Sequence, residues 1–215
     1  MKKAVLILLL ALLALTAQAF AGSYTIDFEG LPDGTLIDNN YSSLGVIFQN
    51  AAIATAGITL NEFDFPPHSG VNVAFDALGP ITLLFSTPIS SFSAYFTYAE
   101  LLTMTAYNAQ NQVVGTASSL FSANYVSSGN PPNELIGLNF LAGISSITIA
   151  ADPLGGSFTM DDASFDDEKS GAPFRPRRGS NRSPATLTSV PAKGLIAPVG
   201  PFMRRFDALK ASDSG

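Results

Sequence analysis

From residue 22 to residue 166 the chain contains no lysine and no arginine. The same span carries 13 aspartates and glutamates. No Lys or Arg salt bridge can form within it, and the chain has no cysteine to make a disulfide. Two things can then hold such a segment together: a large apolar core, or bound cations that relieve the repulsion between its carboxylates. Phosphate binding needs Lys and Arg, so nucleic acid is not an expected partner.

The apolar residues of this segment recur at the period of a strand, not of a helix. Strand-forming runs rich in β-branched and aromatic residues are Tyr24 to Gly30, which ends in carboxylates, Val46 to Phe48, Val71 to Phe75, Ile81 to Phe85 and Ile89 to Tyr98. Further runs are Thr103 to Tyr107, Val113 to Thr116, Leu135 to Phe140, Ile144 to Ala150 and Ser157 to Asp166. Turn residues punctuate them: Pro32-Asp33-Gly34, Pro80, Pro88, Asn108 to Gln112 and Gly155-Gly156. Thr103 to Thr116 reads as a hairpin. Residues 61–70 hold the Pro66-Pro67 pair and read as a loop with exposed aromatics, and residues 118–132 read as polar and flexible. Nine or ten short strands without a helix predict an all-β fold, an antiparallel β-sandwich of jelly-roll type.

Both ends differ from this middle. Residues 1–21 have the pattern of a secretory signal peptide: Lys2 and Lys3, an apolar run from Ala4 to Leu15, and small residues at Ala17, Ala19 and Ala21. The run is shorter than the ~20 residues a spanning helix needs, so a secreted or periplasmic protein without a transmembrane anchor is expected. From Asp167 to Gly215 the chain is rich in Ser, Pro, Gly, Ala and Arg. All nine cations of the mature chain lie there, against four acids. This tail is expected to be disordered, with a short helix conceivable over 202–211.

The first and last strand-like runs both carry adjacent or near-adjacent carboxylates. In Ser157 to Asp166, Phe158 and Met160 share one parity, and Ala163 and Phe165 the other. The switch across Asp161-Asp162 predicts a β-bulge. If the end strands pair at one edge, Asp27 and Glu29 come near Asp161 and Asp162. Calcium takes six to eight oxygen ligands, and these four carboxylates, with turn carbonyls of residues 30–35, are candidate ligands for a structural Ca²⁺.

The run Asp27-Phe28-Glu29-Gly30-Leu31-Pro32-Asp33-Gly34-Thr35, with Leu44-Gly45-Val46-Ile47-Phe48, Ser86-Thr87-Pro88-Ile89-Ser90 and Met160-Asp161-Asp162-Ala163-Ser164-Phe165, resembles a group of secreted bacterial β-sandwich proteins. Many of these carry a PEP-CTERM sorting tail. The resemblance spans roughly residues 24–166, but no Pro-Glu-Pro follows it. The end strands are also similar to those of galactose-binding-like carbohydrate-binding modules. That similarity implies a structural calcium on Glu29 and Asp162 and a carbohydrate ligand.

Few residues point to catalysis. His68, the only histidine, precedes Ser69 but follows two prolines, which reads as an exposed loop histidine and not as part of a nucleophile turn. The acids are too dispersed along the chain to mark a glycosidase pair, and no enzyme is expected. Phe63, Phe65 and Tyr125 are candidate stacking residues for a sugar, whereas Tyr95 and Tyr107 read as half-buried sheet residues. Two functions fit: a non-catalytic module binding extracellular polysaccharide or a surface protein, or a structural matrix protein assembling through its acidic domain and basic tail.

Overall fold

The computed structural model describes residues 22–167. The expected signal peptide and nearly all of the basic tail, with the helix at 202–211, lie outside the described residues. Nine strands follow one another: β1 (Ser23–Ile26), β2 (Val46–Gln49), β3 (Ala51–Thr55), β4 (Asn72–Asp76), β5 (Ile81–Tyr98), β6 (Thr103–Tyr107), β7 (Val113–Ser118), β8 (Glu134–Ala150) and β9 (Phe158–Asp167). The described helical residues are two short 3₁₀ turns, Ser42–Leu44 and Val126–Ser128.

All ladders between these strands are antiparallel, and they form a β-sandwich of jelly-roll type. Two strands serve both layers. The first part of β5 lies between β2 and the end of β8, which in turn pairs with β6 and then β7. The second part of β5 lies between β9 and the start of β8. Beyond β9 comes β4, then β3, while β1 extends the line of β4 along the same side of β9.

The sequence reads each long strand as two, broken at Pro88 and near Gly143. The structure joins them. The β5–β8 register slips between Leu84 and Ser91, and Gly143 adopts φ 101. Proline lacks an N–H and is tolerated where a ladder is already broken. These residues therefore bend a strand from one layer into the other without ending it.

Alternation then decides the core. Phe92, Ala94, Phe96 and Tyr98 of β5 point inward, as do Phe158, Met160, Ala163 and Phe165 of β9. Each large apolar side chain so buried contributes about 1.5–3 kcal/mol. Ser91, Ser93, Tyr95 and Thr97 have the opposite parity; Ser91, Ser93 and Thr97 are nonetheless buried, and Tyr95 is half-buried.

The β1–β9 pairing expected from the sequence is present, with Ile26 opposite Ala163 and Ser23 opposite Asp166. Only β1 is at the edge, since β9 is enclosed between β5 and the β4/β1 line. The bulge is present as well. Tyr95 faces Asp161 and Ser93 faces Ser164, so Asp162 and Ala163 share the space opposite Ala94. Asp162 takes the extra residue at φ 46. That insertion is what lets both Met160 and Ala163 point inward.

Candidate functional site

The bulge carries a cluster of polar contacts to a loop more than 90 residues away. Asp161 is buried on the outer side of β9. Its Oδ2 accepts the backbone N–H groups of His68 at 2.8 Å and Ser69 at 2.9 Å, and its Oδ1 accepts that of Asp162 at 2.7 Å. Asp162, re-aimed by the bulge, takes the side chains of the same two residues. The Ser69 hydroxyl donates to its Oδ1 at 2.9 Å, and His68 Nδ1 lies 2.6 Å from its Oδ2. The His68 ring lies flat on Tyr95, with centroids 3.4 Å apart and planes 8° from parallel. Burial pushes the Asp161 carboxyl up to about 7; the Ser69 N–H opposes that shift, and the neighbouring Asp162 charge adds to it.

A second carboxylate grips the same loop three residues further on. Glu29 Oε1 accepts the N–H groups of Val71 at 2.9 Å and Asn72 at 2.8 Å. Asn72 is buried, and its amide donates to the carbonyls of Phe28 at 3.1 Å and Leu31 at 2.9 Å. Gly70 sits between the two grips at φ 55, where an added Cβ would stand 2.2 Å from Glu29 Oε1. Asp27 Oδ1 accepts the Glu29 N–H at 3.2 Å. The structure thus brings Asp161, Asp162 and Glu29 onto one segment, residues 68–72, which meets Asp161 and Glu29 with backbone N–H groups and Asp162 with the side chains of His68 and Ser69. Among the described residues, no three His, Asp or Glu side chains are grouped to hold a metal, and no buried side-chain N or O lacks a hydrogen-bond partner.

The aromatic candidates part company. Phe63 is 83% exposed, but Phe65 is fully buried. The expectation that Phe65 is exposed is corrected by the path of the loop. Residues 57–67 fold over the outer face of β3 and β4, and Phe65 packs with Ala54, Leu60 and Val73 in a small second core. Its N–H donates to the Asn61 carbonyl at 2.8 Å, which turns the ring inward. Tyr125 stacks on it at 6.0 Å and is half-buried. Tyr95 and Tyr107 are half-buried, as expected. Residues 118–132 are not loosely placed either. Asn124 is buried, accepting the Tyr98 N–H at 2.7 Å and donating to the Phe96 carbonyl at 3.0 Å.

His68 is the residue whose role the sequence reading missed. It is on a loop and its side chain is 35% exposed, but it is fixed on two sides, by Tyr95 and Asp162. No local pattern signals a contact with residues 93 and 94 positions away. The signal that existed was the bulge, which predicts a re-aimed carboxylate without naming its partner. Ser69 donates to Asp162 and not to the imidazole, so Ser69, His68 and Asp162 do not line up as a proton relay of the kind that activates a serine.

No family model matches the chain, and no curated protein matches it. Solved structures with a similar outline include a family 29 carbohydrate-binding module, at 11% identity and a TM-score of 0.37, covering 68% of this chain and 92% of that one. Another is the K3 adhesin domain of Lys-gingipain from Porphyromonas gingivalis, at 10% identity and a TM-score of 0.33, covering 68% of this chain and 99% of that one. A third is the carbohydrate-binding module TmCBM61 in complex with β-1,4-galactotriose, at 9% identity and a TM-score of 0.31, covering 64% of this chain and 96% of that one.

Proposed function

We propose that this chain is a secreted, non-catalytic binding module whose ligand is an extracellular carbohydrate. The observation that carries this reading is Phe63. Its ring is almost wholly in water on a loop whose neighbouring groups are tied down. Glu62 accepts the Gly57 N–H at 3.2 Å, and Asp64 accepts the Ser127 N–H at 3.1 Å and its hydroxyl at 2.5 Å. Phe65 anchors the loop from below. A rigidly presented aromatic ring loses little conformational entropy when it is covered, and its apolar face suits the C–H face of a pyranose. The test is a glycan array probed with wild type and Phe63→Ala. Wild-type binding that is weakened about tenfold or more by Phe63→Ala supports the reading; an array without signal ends it.

Calcium belongs to this proposal as a structural ligand on Glu29 and Asp162, with Asp27 and Asp161 assisting. The supporting observation is the chemistry of the donors: Asp27 and Glu29 just past the end of β1, and Asp161 and Asp162 on the strand that β1 pairs with, are hard oxygen ligands in a domain without Lys or Arg. Binding would exchange N–H donors of residues 68–72 for the ion. A higher melting temperature in millimolar calcium than in chelator, lost in Glu29→Gln, is the expected result; identical melting in both removes calcium from the proposal.

The charge segregation favours a second reading, a matrix protein assembling through acidic domain and basic tail. Self-association that weakens with salt and disappears when residues 168–215 are removed is the outcome that would support it.

A further inference from the structure

We propose that two copies of this chain join along β7, antiparallel and about a two-fold axis, so that one sheet runs through both. This goes beyond the carbohydrate reading and does not rest on it.

The first layer ends in an open strand edge. Among the described residues β7 pairs with β6 alone. The Ser119 N–H donates to the Leu102 carbonyl at 2.9 Å, which makes Leu102 and Ser119 a hydrogen-bonded pair. Bonded and non-bonded pairs alternate along an antiparallel ladder. Ala117 therefore turns its N–H and C=O toward β6, while those of Thr116 and Ser118 point away from it. Thr116 and Ser118 are both exposed.

The other outer strands are covered or short. Gly34 donates to the Ile53 carbonyl, Ile53 to that of Thr35 and Ile37 to that of Ala51, each at 2.9 Å, so residues 34–37 close the far edge of β3. Phe48 of β2 donates to the Asp38 carbonyl at 2.9 Å. β1 is four residues long and runs into Asp27 and Glu29. β7 has six residues and neither a proline nor a charge, the devices that keep an exposed edge from pairing.

Charge and register name the second strand as another β7. From Leu101 to Asn133 no side chain is charged, in a domain with 13 carboxylates. The β6–β7 hairpin is thus where two acidic copies approach with least repulsion. An antiparallel pair with Ala117 on the axis sets Thr116 of each copy opposite Ser118 of the other. Both residues then exchange N–H···O bonds across the axis, and the contact is isologous and closed. Thr–Ser neighbours on one face of a sheet also stabilise it through their side chains. They would continue the row Thr82, Thr148, Thr105 and Thr116 that already crosses the layer. The same register brings Leu120, 76% exposed, to the end of the partner strand that carries Val113, 59% exposed.

The experiment is sedimentation equilibrium of the full mature chain across a range of concentration and salt, with Thr116→Pro and Thr116→Glu. The first removes an outward N–H that β6 does not use, which an edge strand tolerates. The second leaves the backbone intact and brings two carboxylates together across the axis; it decides the case in which Thr116→Pro melts early. Expected is a reversible dimer that tightens with salt, because salt screens the repulsion between the two acidic domains, and whose dissociation constant rises about tenfold or more in both variants. A chain that stays monomeric up to about 1 mM overturns the inference. A dimer that both variants retain overturns the place of contact. A dimer that weakens with salt and is lost on removing residues 168–215 overturns it in favour of assembly through the tail.

Discussion

Asp161 holds the backbone N–H of Ser69 at 2.9 Å across 92 residues of sequence. With the neighbouring His68 N–H, this contact fastens the loop that carries the exposed aromatic to an interior strand. Its carboxyl, raised to about 7, and that of Asp76, also raised to about 7 by burial against the pull of Ser157 and Phe158, have a common consequence. Each group binds its proton more tightly in the folded chain than in the unfolded one, where a carboxyl titrates near 3.9. Between about pH 4 and 7 the folded state therefore holds the extra protons, and stability falls as pH rises. Mutual repulsion among the 13 carboxylates acts in the same direction. Melting temperatures measured from pH 4 to 8 should be highest at the acid end and decline toward 7, with a shallower slope in Asp161→Asn. A melting temperature that climbs from pH 5 to 7 would contradict this.

Gly70 and Glu29 make a second prediction. Gly34 and Gly70 both sit in the left-handed region, at φ 73 and φ 55, but only Gly70 faces a neighbour. Substituting Ala at Gly34 should cost about 1–2 kcal/mol, the backbone penalty alone. Gly70→Ala should cost clearly more, because the new methyl displaces Glu29 from the Val71 and Asn72 N–H groups. In the background of Glu29→Ala the cost of Gly70→Ala should shrink toward that of Gly34→Ala. Urea denaturation of the double-mutant cycle reads this directly; additive effects would exclude the coupling.

Phe63 and Phe65 are two residues apart and should differ widely in what they hold. Phe65→Ala empties a packed site beneath the loop and should cost about 3–5 kcal/mol. Phe63→Ala removes a ring that is in water and should change stability by no more than about 0.5 kcal/mol. Chemical denaturation of the two variants separates them. A loss of glycan binding in Phe65→Ala would report on the loop's fold, which is why Phe63 is the residue to vary.

Much of this architecture is legible in the sequence because period-2 alternation leaves a trace wherever one face is buried. The bulge at Asp161-Asp162 could be read from parity alone, and the end-strand pairing from the matching character of the first and last runs. What alternation cannot register is a strand that bends. Pro88 looks like a terminator locally, and only the change of partner along β5 shows that the strand continues. Loops carry no period at all. Phe63 lies between Glu62 and Asp64 and Phe65 between Asp64 and Pro66, and the difference in their burial arises from which ring the Asn61–Phe65 turn points at β3 and β4. The carboxylates of the site were legible as a pair on each end strand. That residues 68–72 would come between them was not, because a backbone N–H donor has no signature in sequence.

The bulge itself can be tested by altering its extra residue. At φ 46 Asp162 occupies a conformation that Asn and Asp tolerate and β-branched residues resist. Asp162→Asn keeps that tolerance and one carbonyl acceptor for Ser69, so it should cost no more than about 1–2 kcal/mol. Asp162→Val loses both the conformation and the acceptor and should cost more. Deleting residue 162 removes the second residue opposite Ala94 and restores strict alternation through β9, with Met160 in, Asp161 out and Ala163 and Phe165 still in. It keeps the stacking of Phe165 on Tyr24 at 5.2 Å and loses only the contacts of the Asp162 carboxylate. Inserting an alanine after Asp162 is the severe case. With Met160 held inward and one extra residue in the bulge, Ala163 and Phe165 would turn to the outer face. A one-residue slip moves an entire apolar set to the wrong side, and β1 is paired to residues 163–166. The insertion should therefore abolish cooperative unfolding, while the deletion and Asp162→Asn each melt in a single transition. An insertion variant that unfolds cooperatively with the native near-ultraviolet signal would show that parity across the bulge is not what seats the last strand.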